Sequence, residues 1–256
     1  MNMRWKVLWL ITLSLPTLLH AETLRFGMDL NYPPFSWQDS DGQPQGFDAD
    51  MARAICRDLQ TDCRIVPQDW DGLTKALYLG KFDAILSSMQ ITPERRQSLS
   101  FSRRYYHIAS RIITRAGSKV SQHSFQGQAI GVLRGSTQAA FAQDYWGKAG
   151  ARITAYDKIT AAFNDLVRGK LAAVFVDNVV GEQSFLSTAQ GRGFAFAGPQ
   201  YDDPRYFGEG AGIAVRKGDV PLQQRLNQAI TDLRASGEYQ RIASKYFHFD
   251  IYGNER

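Results

Sequence analysis

The sequence predicts an α/β protein of two similar lobes that face each other across a cleft, and three observations predict it. The stretch Leu77-Tyr78-Leu79-Gly80-Lys81-Phe82-Asp83-Ala84-Ile85 returns as Leu166-Val167-Arg168-Gly169-Lys170-Leu171-Ala172-Ala173-Val174. Each copy reads as a helix end, a glycine that stops it, and a short apolar strand, because glycine takes left-handed dihedrals without a Cβ penalty. Each strand then breaks into polar residues, Ser87 and Ser88 after the first copy and Asp177 after the second. A second echo lies upstream, where Ala129-Ile130-Gly131-Val132-Leu133 repeats the manner of Arg25-Phe26-Gly27-Met28. Finally, Gly208, Gly210 and Gly212 alternate before Ile213-Ala214-Val215, a pattern of close backbone approach that suits a return crossover into the first lobe. In open α/β sheets ligands sit at the carboxyl ends of strands, so two such ends would share one cleft.

Taken in order, the chain opens with Arg4 and Lys6, a short apolar run from Val7 to Leu19, and Ala21 before Glu22. A basic start, a short apolar core and a small residue before a polar one form a secretory signal, here residues 1–21. The run is shorter than a membrane span and Pro16 breaks it. The mature chain is therefore expected to be soluble in an oxidising compartment, most simply the bacterial periplasm. Leu24–Met28 reads as a strand, and Asn31-Tyr32-Pro33-Pro34 as a loop. Asp48 is expected to cap a helix running through Met51, Ile55 and Leu59, and Leu73–Leu79 forms the next. Thr92-Pro93 opens another helix, and Ile108–Thr114 carries the chain out of the first lobe. Arg134-Gly135-Ser136-Thr137 opens a helix in the second lobe. The last two helices run through Leu222–Leu233 and from Tyr239 to Phe247. The first lobe would take 22–110 and 208–256, and the second 111–207.

Cys56 and Cys63 are the two cysteines. In an exported chain they read as one disulfide pinning a helix end to the next strand, worth roughly 2.5 kcal/mol for so short a loop. His107, His123 and His248 lie far from the pair, which argues against a metal. The net charge of +5 falls to +3 without Arg4 and Lys6. Scattered charges of that size do not make a nucleic-acid surface.

Several side chains have a bland reading and a chemical one. Arg95, in a first helical turn, is either an exposed arginine or a planar fork gripping a carboxylate. Gly135-Ser136-Thr137 offers N–H groups at a helix start, where an anion binds. Asp177 closes an uncharged strand, as a turn residue or as a partner for an ammonium. Asp29 stands similarly after the first strand. Tyr32 and Trp70 are either core or flat walls for an aliphatic stem or a guanidinium. Together they complement a free amino acid. Nucleophile elbows, His/Cys metal spacings and a Walker lysine are missing, so neither catalysis, cofactor nor metal is expected.

The chain resembles the periplasmic solute-binding proteins of polar amino acid ABC transporters, and among them the lysine/arginine/ornithine- and histidine-binding branch. The resemblance rests on Tyr32-Pro33-Pro34-Phe35, Gly46-Phe47-Asp48-Ala49-Asp50, Asp83–Met89, Ile91-Thr92-Pro93-Glu94-Arg95, Gly131–Thr137 and Tyr246–Asp250. It implies a type II periplasmic-binding-protein fold, each lobe a mainly parallel sheet flanked by helices, joined by a two-stranded hinge. It also implies that Arg95, Ser88 and the Thr137 backbone hold an α-carboxylate while Asp177 takes the α-ammonium. Asp29, Ser87 and Ser136 would meet the polar end of the ligand side chain, Tyr32 and Trp70 its stem, and Leu133 would line the pocket with Gln138 at its edge. Gln90 replaces a small serine usual in the family, and Trp70 is larger than usual. The function implied is a monomeric receptor that delivers a polar, cationic L-amino acid to an inner-membrane permease. The alternatives are a glutamine or opine-type ligand, or an exported cyclohexadienyl or arogenate dehydratase on the same scaffold.

Overall fold

The structure is a computed structural model that describes residues 23–253, so the expected leader, residues 1–21, lies outside the described residues. In the first half of the chain the strands are β1 (Thr23–Met28), β2 (Asn31–Tyr32), β3 (Ser36–Gln38), β4 (Pro44–Gln45), β5 (Asp62–Pro67), β6 (Ala84–Ile85), β7 (Leu99–Tyr106) and β8 (Ser110–Arg115). Strands β9 (Ala129–Leu133), β10 (Arg152–Tyr156), β11 (Ala173–Asp177), β12 (Phe194–Tyr201) and β13 (Ala211–Arg216) follow. The helices are α1 (Phe47–Asp58), α2 (Leu73–Tyr78), α3 (Pro93–Ser98), α4 (Thr137–Ala142), α5 (Ile159–Val167), α6 (Asn178–Gly181), α7 (Pro204–Phe207), α8 (Val220–Ala235) and α9 (Glu238–Ala243).

Two five-stranded sheets organise these elements, in the orders β5-β1-β6-β13-β7 and β10-β9-β11-β8-β12. In the first, β13 runs against both its neighbours and the other strands share one direction. In the second the reversed strand is β8. Each lobe is thus mainly parallel, and its reversed strand is the one that enters it from the other lobe. The chain crosses between lobes after β7 and again after β12, which makes the two-stranded hinge. At the second crossing Ile91 N–H donates to the Gly210 carbonyl at 2.8 Å and Gly212 N–H to Met89 at 3.0 Å.

The repeat visible in the sequence is also a packing repeat. Gly80 and Gly169 end their helices with φ of 70° and 74°, the left-handed region that glycine reaches most easily. Two residues on, Phe82 packs over Gly27 of β1, and Leu171 packs over Gly131 of β9. A Cβ at Gly27 would collide with the Phe82 ring, and one at Gly131 would lie 2.6 Å from Leu171 Cδ1. Both glycines therefore keep space for the apolar residue that follows the stop signal.

Some local expectations change. Helix α1 starts at Phe47 with Gly46 as its N-cap, so Asp48 is not the cap; its side chain is fully buried and bonded elsewhere. Asn31–Tyr32 is not simply loop, because it pairs with Ser36–Trp37 in a three-stranded antiparallel sheet. Helix α9 stops at Ala243, and Tyr246 and Phe247 lie past its end with their rings packed on Phe47. Cys56 in α1 and Cys63 in β5 form the disulfide, with Cα atoms 5.6 Å apart.

Candidate functional site

Four strand ends converge on one interlobe cleft. Asp29 follows β1, Ser87 and Ser88 follow β6, Leu133 ends β9 before the start of α4, and Asp177 ends β11. Asp29, Tyr32, Trp70, Ser87, Ser88, Gln90 and Arg95 line the cleft from the first lobe, and Leu133, Ser136, Thr137, Gln138 and Asp177 from the second. The structure thus brings together every residue expected at the site.

Asp177 is the most engaged of these groups. It stands at the N-cap of α6 but makes no side-chain cap bond there. Its Oδ1 accepts Gln138 Nε2 at 2.7 Å and Ser110 Oγ at 3.2 Å, while Oδ2 accepts the Tyr32 hydroxyl at 2.8 Å. Burial pushes its carboxyl up to about 6, against the opposing pull of these donors and of the Arg95 charge. Tyr32 is therefore more than an aromatic wall, because its hydroxyl ties the first lobe to a carboxylate of the second. Ser110 was not anticipated at all, and Gln138, expected only at the edge, holds Asp177 directly.

Arg95 lies in the first turn of α3, whose N-cap Thr92 accepts Arg95 N–H at 3.2 Å. Its guanidinium donates to the carbonyls of Gln90 at 3.1 Å and of Gly135, across the cleft, at 3.3 Å. It also stacks over the Trp70 ring at 5.3 Å. Burial lowers it to about 10, so it keeps its charge at neutral pH. Trp70 is thus a platform for Arg95 as well as a cleft wall. The Gln90 amide faces the carbonyls of Gly210 and Phe207, and with its nitrogen assigned to that side it also braces the second crossing.

The serines divide their work. Ser136 donates to the Leu133 carbonyl at 2.7 Å and accepts Ala139 N–H at 3.1 Å, so its hydroxyl proton is committed to Leu133 while its oxygen caps α4. The N–H groups of Thr137 and Gln138 precede the capped one, and helix geometry leaves them without an intrahelical carbonyl. Ser87 Oγ accepts Asp29 N–H at 3.0 Å. Asp29 is buried, accepts Asn31 Nδ2 at 2.8 Å, and has its carboxyl raised chiefly by desolvation. Among the described residues, no group of three His, Cys, Asp or Glu is placed to hold a metal ion.

A cation and open N–H groups face a carboxylate across this cleft, with a second carboxylate and two aromatics nearby. That set can hold a zwitterion whose side chain is polar or positive. The bacterial extracellular solute-binding proteins, family 3, match over residues 24–249. The chain is 45% identical to an L-arginine-binding protein of Pseudomonas aeruginosa, over 96% of this chain and 95% of that one. It is 40% identical to a lysine/arginine/ornithine-binding periplasmic protein of Escherichia coli, over 91% and 90%. A solved periplasmic binding protein of Salmonella typhimurium, described as having high arginine specificity, superposes with a TM-score of 0.81 at 35% identity, covering 89% of this chain and all 100% of that one.

Proposed function

This chain belongs to the bacterial extracellular solute-binding proteins, family 3, and from that premise we propose that it is a periplasmic receptor for a cationic L-amino acid, arginine foremost. It captures the ligand between its lobes and presents the closed form to an inner-membrane ABC permease. In this reading residues 1–21 are a cleaved leader, 22–110 and 208–256 form the first lobe, 111–207 form the second, and the receptor acts as a monomer.

The observation that carries the reading is the placement of Arg95 and Asp177, from different lobes, on the walls of one cleft. Arg95, Ser88 and the Thr137 N–H take the α-carboxylate, and Asp177 takes the α-ammonium. Asp29, Ser87 and Ser136 lie toward the side-chain end, with Tyr32, Trp70, Gln90 and Leu133 around the stem. Ligand that touches both lobes favours the closed form over the open one in proportion to its differential affinity. Contacts such as Ser184 Oγ to the Pro33 carbonyl at 2.7 Å and Gln183 Nε2 to the Tyr246 carbonyl at 2.9 Å support that form. A dehydratase would need a general acid at a leaving hydroxyl. Here Asp177 is held by three donors and Asp29 by Asn31, which favours the receptor.

A thermal-shift screen against the common L-amino acids tests the proposal, since a ligand that binds only the folded form raises Tm. L-Arginine, L-lysine, L-ornithine or L-histidine is expected to give the largest rise. No shift with any amino acid, or aromatic product from prephenate or arogenate, would overturn it.

A further inference from the structure

Beneath the carboxylate end of the cleft lies a buried acid that the site does not account for. Asp48 is fully buried. Its Oδ1 accepts the Tyr105 hydroxyl at 2.9 Å, and its Oδ2 lies 2.9 Å from Ser88 Oγ. The Tyr105 oxygen in turn accepts Ser88 N–H at 3.0 Å. Ser88 lines the cleft and holds a left-handed backbone with φ 53°, rare for a residue with a Cβ. The Asp48–Tyr105 pair therefore fixes both the backbone and the hydroxyl of a cleft residue.

The proton on this network decides what Ser88 can offer. If Asp48 is ionised it only accepts, so the single Ser88 proton points at Asp48 and away from the cleft. A carboxylate in the cleft would then meet Ser88 lone pairs, with a second negative charge behind them. If Asp48 is protonated on Oδ2, the same 2.9 Å contact reverses. Asp48 donates to Ser88, and Ser88 turns its own proton to the ligand.

We infer that Asp48 is a positioning residue: the receptor binds ligand while Asp48 is neutral and protonated, which makes Ser88 a donor to the α-carboxylate. The inference rests on the receptor reading above. Desolvation pushes the Asp48 carboxyl up to about 7, against the pull of Tyr105 and Ser88. The titratable groups around it are Tyr105 and Tyr106 of β7, both kept protonated by burial, and Tyr239 of α9, whose hydroxyl donates to the Tyr105 carbonyl at 2.6 Å. Asp50 and Arg53 of α1 pair with each other, and Asp50 also pairs with Lys245. Among the described residues no ion pair reaches Asp48. A ligand carboxylate therefore raises the acid further, and binding above its free value takes up a proton from solvent.

Titration calorimetry with L-arginine in buffers of different ionisation enthalpy tests this. The wild-type chain is expected to take up close to one proton at pH 8 and to bind about tenfold more weakly at pH 8.5 than at pH 7. Asp48→Asn, whose amide donates to Ser88 permanently, is expected to keep its pH 7 affinity within about threefold and to lose that decline. A wild-type affinity that is level from pH 7 to 8.5 without proton uptake overturns the inference, as does a decline retained in Asp48→Asn. Should wild-type protein show no L-arginine binding at any pH, the receptor reading falls, and this inference with it.

Discussion

The two copies of the helix–glycine–strand unit are alike as scaffolds and opposite as chemistry. Both stop a helix at a left-handed glycine, Gly80 or Gly169, and both seat an apolar residue over a glycine in the neighbouring strand. Where the first copy's strand ends, Ser87 and Ser88 line the cleft together with Arg95. Where the second ends, Asp177 presents a carboxylate held by Ser110, Gln138 and Tyr32. In the proposed reading one frame thus supplies the pole for an anion and the pole for a cation, and residues at the strand ends distinguish them.

The largest test of that contrast removes one pole at a time. Arg95→Ala and Asp177→Ala are each expected to weaken L-arginine binding about a thousandfold by calorimetry, since unpairing a buried charge costs ~2–5 kcal/mol. Both variants should fold, with a ligand-free Tm close to wild type.

Acid separates the poles next. The folded-state value of Asp177, about 6, lies above its ordinary 3.8. Below about pH 6 its proton must leave before it can meet an ammonium, so affinity falls about tenfold per pH unit. The direction is opposite to that expected from Asp48, which must be protonated to help. Affinity measured from pH 4 to 8.5 should therefore pass through a maximum near pH 6–7.

A smaller effect is expected from Tyr32→Phe, which keeps the ring and deletes the interlobe bond to Asp177. A hydrogen bond to a charged group is worth about 1.5 kcal/mol, so dissociation should quicken about tenfold in stopped-flow measurements. The smallest effects test the likeness of the two copies. Gly80→Ala and Gly169→Ala should each lower stability by about 1 kcal/mol in urea unfolding and leave ligand affinity unchanged. Unequal costs would break the structural equivalence of the units.

The elements that position the site were legible because their signals are local. Thr92-Pro93 announces α3, Ser136 announces α4, and the two stop glycines announce the strands that end at Ser87 and Asp177. Arg95 and Asp177 stood out because each is a charge at an element end. Asp48 misled, since an aspartate just ahead of an apolar helix resembles an N-cap. Its partners Ser88 and Tyr105 lie 40 and 57 residues away, and only the fold brings them together. Ser110 was missed for the same reason, being 67 residues from Asp177. The small β2-β3-β4 sheet was invisible because strands of two or three residues carry no periodicity.

The central claim is that one zwitterion is held by charges from separate lobes, and a crystal structure with L-arginine tests it most directly. The α-carboxylate is expected within about 3 Å of the Arg95 guanidinium and the Thr137 N–H, and the α-ammonium within about 3 Å of an Asp177 oxygen. A ligand bound in the cleft with its ammonium away from Asp177, or with its carboxylate away from Arg95, would contradict it.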